Sequence, residues 1–124
     1  MRHKFKKEQK RLINSFKYAI EGFISSFKTE RNMKIHVLAT IIVILLGIIL
    51  KISTIEWCFC IISIVMVISA ELFNTAIETI VDMISPEKNE KAKLAKDISA
   101  SAVLAFSIGA AIIGIIIFVP KIIS

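Results

Sequence analysis

CFCIISIVMVISAELFNTAIETIVD, residues 58–82, starts as a membrane-like apolar run and ends in a row of acids. The helical pattern does not break where the polar residues arrive. Glu71, Asn74, Glu78 and Asp82 are separated by three, four and four residues, which places them on one stripe of a single helix. Leu72, Phe73, Ile77 and Ile80 cover the remaining surface. A charged side chain in hydrocarbon costs about 2.5–3.5 kcal/mol even on lenient scales. Carboxylates confined to one side therefore share one destination, a protein interior or a wet cleft.

The rest of the chain agrees with a membrane setting. Its 124 residues suffice for one small domain, 1–124. Hydrophobic residues make up 56% and mean hydropathy is +0.76, too apolar for an ordinary water-soluble domain. The segment around the acidic stripe reads as a helix over about 55–84, ended by Ser85-Pro86. At about 1.5 Å per residue it is longer than a hydrocarbon core, with Glu71 about 21 Å from Trp57 and Glu78 about 10 Å further. A first span is predicted over about 33–50, flanked by Lys34 and Lys51, and a third over about 97–119, closed by Pro120 and Lys121. PEKNEKAKLAKD is read as the loop before the third span. Within that span Ser101, Ala105 and Gly109 form a small-residue stripe suited to close helix packing.

Ahead of the spans, residues 9–30 form an amphipathic pattern. Leu12, Ile13, Phe16, Ile20, Phe23, Ile24 and Phe27 recur at helical steps, with Arg11, Lys17, Glu21 and Lys28 opposite. Such a helix lies in a membrane interface or packs on a soluble partner. The fold class is thus all-α and integral to the membrane, a surface helix plus three transmembrane helices.

Charge placement gives the orientation. Net charge is +6, and ten of the sixteen Lys and Arg lie within residues 1–34. Lys88, Lys91, Lys93 and Lys96 add a second cluster, which predicts a multi-pass cell-membrane protein with its N-terminus and acidic cleft cytoplasmic. These cations flank apolar spans without interleaved aromatics, so they suit anionic headgroups and no nucleic acid is expected as partner. No cleavable signal segment is recognised. Cys58 and Cys60 point in different directions and read as small apolar residues. His3 and His36 are isolated in sequence and read as surface or interfacial residues, not ligands.

Glu30 before the first span and Lys96-Asp97 before the third reach the same level as the acidic stripe. So many acids repel one another unless cations or protons intervene. Oxygen donors alone favour a hard ion such as Mg²⁺ over zinc. Asp82 and Asp97 could equally pair with the Lys-rich segment as structural ion pairs. Two function classes fit: an enzyme acting on a lipid headgroup, and a small transporter with a carboxylate relay. The polar stripe stops midway through the membrane, which favours the enzyme. No phosphate-binding glycine loop is present.

ELFNTAIETIVD followed by AKDISASAVL resembles the prokaryotic diacylglycerol kinase family, which includes undecaprenol kinases, and the likeness covers nearly the whole chain. ERNMKIH at 30–36 looks like the undecaprenol kinase branch. The resemblance implies a homotrimer that uses ATP and Mg²⁺ to phosphorylate a membrane alcohol, undecaprenol in preference to diacylglycerol. It also implies roles. Glu71 would be the general base, Glu30 and Glu78 the Mg²⁺ ligands, and Asn74 an orienting residue. Lys96 and Asp97 would lie near the phosphates and the base, with Arg11, Tyr18 and Glu87 near the nucleotide. Asp82 is given supporting contact alone.

Overall fold

The computed structural model describes residues 1–124 as four helices and no strand. They are α1 (Arg2–Thr29), α2 (Arg31–Ile49), α3 (Thr54–Ile84) and α4 (Glu90–Ile123). α2, α3 and α4 are each long and apolar enough to cross a membrane. α3 packs along α4, α2 packs on α3, and α1 touches α2 and α3 near its C-terminal end.

Local chemistry sets the breaks. Glu30 takes an extended conformation between α1 and α2, while its N–H still donates to the Ser26 carbonyl at 2.8 Å. α2 ends in a Schellman motif, in which Ile52 N–H reaches the Gly47 carbonyl at 3.2 Å and Lys51 N–H the Ile48 carbonyl at 3.4 Å. Lys51 supplies the left-handed residue, with φ of 51°, a place usually taken by Gly. Ser53 and Glu56 then start α3 with a reciprocal capping box.

Three expected boundaries move. α4 begins at Glu90, not near residue 97, because Asn89 Oδ1 accepts from the Lys91 and Ala92 amides and the Lys- and Ala-rich stretch is a good helix former. The predicted loop therefore shrinks to residues 85–89. At its other end α4 continues through Pro120 to Ile123 and brings Lys121 Nζ to 3.2 Å from Glu56 Oε1 on α3. α1 likewise starts at Arg2 rather than near residue 9, since RHKFKKEQKR is helix-forming whatever its polarity.

The end carrying Trp57 holds a small apolar cluster. Ile52, Cys60, Ile117 and Phe118 form its core, with Val43, Leu46 and Trp57 packed around them. Over the whole chain burial is sparse, at 13 of 124 residues, so most apolar faces need cover from lipid or from another protein. The Ser101–Ala105–Gly109 stripe is one of these faces. Ser101 and Ala105 are exposed, and a Cβ on Gly109 would meet nothing within 4 Å. α4 packs against its own chain through Ser99, Val103, Ile117 and Phe118 instead.

Gly47 permits the closest helix approach: a Cβ there would lie 2.6 Å from Cη2 and 2.8 Å from Cζ2 of Trp57. Gly47→Ala is expected to destabilise the fold by about 1–3 kcal/mol through overpacking. Thermal unfolding in detergent measures it, and an unchanged midpoint would contradict the tight Gly47–Trp57 contact.

Candidate active site

α3 carries its polar stripe from a dry end to a wet one. Glu71 is 0% exposed and Asn74 is 4% exposed; Glu78 is half-buried and Asp82 is exposed. Neither carboxylate oxygen of Glu71 has a hydrogen-bond partner, nor has Oδ1 of Asn74. Asn74 Nδ2 donates to Glu78 Oε1 at 3.1 Å, linking the two polar residues one turn apart. Beside them Thr75 donates to the Glu71 carbonyl at 3.0 Å, and its hydroxyl sits 3.4 Å from that of buried Ser26, holding α1 against α3.

Buried polar atoms in native proteins are almost always satisfied, and an exception calls for an explanation. Here the exception is a carboxyl group wholly buried within a helix of membrane-spanning character. A cavity of about 220 Å³ adjoins it, lined by Asn32, His36, Glu71, Asn74 and Ser107 among others. His36 and Ser107 also line a neighbouring, mostly apolar groove that runs along α3 past Thr40, Ser63 and Phe118. The pocket at Glu71 thus adjoins an apolar groove.

Around Glu71 the expected residues divide. Half-buried Glu30 and Glu78 both lie within electrostatic reach of it. Lys96 pairs with Asp82 across the α3–α4 ends, and Glu78 lies within the electrostatic reach of that lysine. Asp97 is exposed and pairs along its own helix with Lys93 at 2.6 Å. Arg11, Tyr18 and Glu87 are exposed and make no side-chain contact with this group within the chain. No three His, Cys, Asp or Glu side chains converge into a ready-made metal site.

One neighbour of Glu71 contradicts the sequence reading. His36, expected as an isolated interfacial residue, is half-buried with Nε2 3.7 Å from Glu71 Oε2. Helical spacing gave some signal, since His36 and Met33 lie three residues apart and Met33 is fully buried. The partner on α3 was not visible in sequence.

Residues 17–118 match the sequence profile of the family described as prokaryotic diacylglycerol kinase. The chain belongs to that family. It is 40% identical over 114 residues to the undecaprenol kinase of Bacillus subtilis (strain 168), covering 92% of this chain and 93% of that one. It is 36% identical to the diacylglycerol kinase of Synechocystis, over 91% of this chain and 65% of the relative. It is 39% identical to the diacylglycerol kinase of Haemophilus influenzae, over 85% and 86%. The resemblance drawn from ELFNTAIETIVD and AKDISASAVL holds, and the enzyme class it implied, a lipid kinase, is the class of these relatives. With three apolar helices long enough to span, membership in this family makes the chain a multi-pass membrane protein.

An unpartnered buried carboxylate strains the fold that holds it. Glu71→Met, which keeps the volume and removes the polar atoms, is expected to raise unfolding stability by about 1–3 kcal/mol. A lower unfolding midpoint in detergent would show that the carboxylate makes a stabilising contact at rest.

Proposed function

We propose that this chain transfers the γ-phosphoryl group of ATP to the hydroxyl of undecaprenol at the cytoplasmic surface of the cell membrane, with Glu71 as general base. The observation that carries the chemistry is Glu71 itself, wholly buried, without a hydrogen-bond partner, and lining a pocket that shares His36 and Ser107 with an apolar groove. A membrane alcohol arrives along a greasy path and needs a proton acceptor at its end. The choice of undecaprenol rests on the Bacillus subtilis relative, whose likeness extends over nearly the full length of both chains. Diacylglycerol is the second reading, favoured by the relatives from Synechocystis and Haemophilus influenzae.

Phosphoryl transfer asks the protein mainly for positioning and charge neutralisation. Glu30 and Glu78 supply oxygen donors near the base but nearer to water, and two carboxylates are a fitting share for Mg²⁺, which takes its other ligands from water and phosphate. When bound there, the ion would neutralise charge on the ATP phosphates. Asn74 holds Glu78 through its amide and so orients the donor set. Lys96, close to Glu78, provides the cation for phosphate oxygens, with Asp97 the next residue of α4. Arg11, Tyr18 and Glu87 are exposed in the single chain and would meet the nucleotide as it arrives from water.

α1 lies along the membrane surface in this reading. Leu12, Ile13, Phe16 and Ile20 remain exposed in the single chain and would enter the headgroup region. A homotrimer covers further apolar surface and completes a shared site, and the open Gly109 stripe is available for its contacts. A through-membrane relay has little to run on. The Thr40 and Ser63 hydroxyls donate to backbone carbonyls of their own helices, at 2.8 Å each.

Purified protein with Mg-ATP, offered undecaprenol and diacylglycerol side by side, is expected to phosphorylate both and to prefer undecaprenol. Preference for diacylglycerol would reverse the lipid assignment. Glu71→Gln should abolish turnover while nucleotide binding survives, and loss of ATP affinity instead would mean that Glu71 belongs to the nucleotide site. For Glu78→Gln the expected result is a weaker affinity for Mg-ATP, and an unaltered Mg²⁺ dependence would remove it from the ion-binding set.

A further inference from the structure

The pocket at Glu71 contains a second functional side chain to which the chemistry above gives no part. His36 reaches across from α2, with Nε2 3.7 Å from Glu71 Oε2. The other nearby donor, the Asn74 amide, donates to Glu78. A carboxylate rotates about a broad terminal torsion, so one with no partner on either oxygen has no fixed aim. Reaction with a hydroxyl requires one, because an ångström of misplacement lowers a rate by about 100-fold.

We propose that His36 is a positioning residue for Glu71: its neutral imidazole donates from Nε2 to Glu71 Oε2, leaving Oε1 directed at the hydroxyl of the membrane alcohol. A closure of about 0.5–1 Å brings the pair into hydrogen-bond range. His36 stands where the pocket and the apolar groove meet, so the same ring borders the path by which the alcohol arrives. A neutral donor suits the task, because it orients a carboxylate without the full ion-pair attraction that would weaken it as a base. The inference rests on the reading of Glu71 as the proton acceptor.

Two substitutions separate the hydrogen bond from the bulk of the ring. His36→Met keeps a side chain of similar length without an N–H, and kcat is expected to fall by about 30-fold with KM for Mg-ATP unchanged. His36→Gln, whose amide can donate from a similar position, should restore most of that loss. A His36→Met enzyme with full kcat, or a His36→Gln enzyme as slow as His36→Met, overturns the positioning role. If Glu71→Gln remains active, the base assignment fails whatever His36 does. If Glu71→Gln is inactive while His36→Met is not, the positioning role alone fails.

A spectroscopic reading is independent of the folding of those variants. The chain has two histidines, so His3→Asn identifies the His36 ring signals in ¹⁵N-labelled protein. Replacing Glu71 with Gln is expected to move the His36 Nε2 resonance and leave His3 unaffected. An unmoved His36 signal means that the two side chains do not meet, and the proposal falls.

Discussion

A carboxyl group with no exposed surface and no hydrogen-bond partner, on a helix apolar enough to cross a bilayer, is the constraint around which this fold is arranged. Neither hydrocarbon nor a dry protein interior tolerates such a group cheaply. Around it the chain gathers polar residues from several directions. Glu30 arrives at the α1–α2 break, Asn32 and His36 on α2, and Ser107 on α4. None of them closes a hydrogen bond to Glu71, so the group stays available to a ligand. Its stability cost is then the counterpart of its use, as in other strained functional sites.

The two ends of the helical bundle answer different demands. At the Trp57 end the capping box, the Schellman turn, the Gly47–Trp57 contact and the Glu56–Lys121 ion pair bind α2, α3 and α4 together. At the other end α3 runs from buried Glu71 to exposed Asp82 within three helical turns. That gradient puts a dry carboxyl group and wetter acids on one rigid element. The proposed reaction between an oil-soluble alcohol and a water-soluble triphosphate would use such a gradient, and a helix longer than the hydrocarbon thickness supplies it without a loop.

Much of this was legible in the sequence because helical geometry is local. The steps Glu71–Asn74–Glu78–Asp82 fix a common face whatever packs against it, and the long apolar runs require spanning helices. Helix extends further than expected at two charged stretches, one of them expected as loop. Residues 90–96 and 2–8 are charged yet strongly helix-forming, and Asn89 caps α4 well before the membrane-like segment begins. Pro120 was read as an exit, but α4 carries through it for one further turn and places Lys121 beside Glu56.

By itself the sequence determined the four-helix, membrane-spanning character, the one-sided acidic row and the family resemblance, all of which depend on spacing along a single chain. Which of those acids would be dry was decided by tertiary structure. Asp82 turns out to Lys96 and Asp97 to Lys93, while Glu71 is enclosed and meets His36, a residue thirty-five positions away. Burial and cross-helix partners arise when separate helices pack, and no periodicity within one helix encodes the neighbour that another will bring.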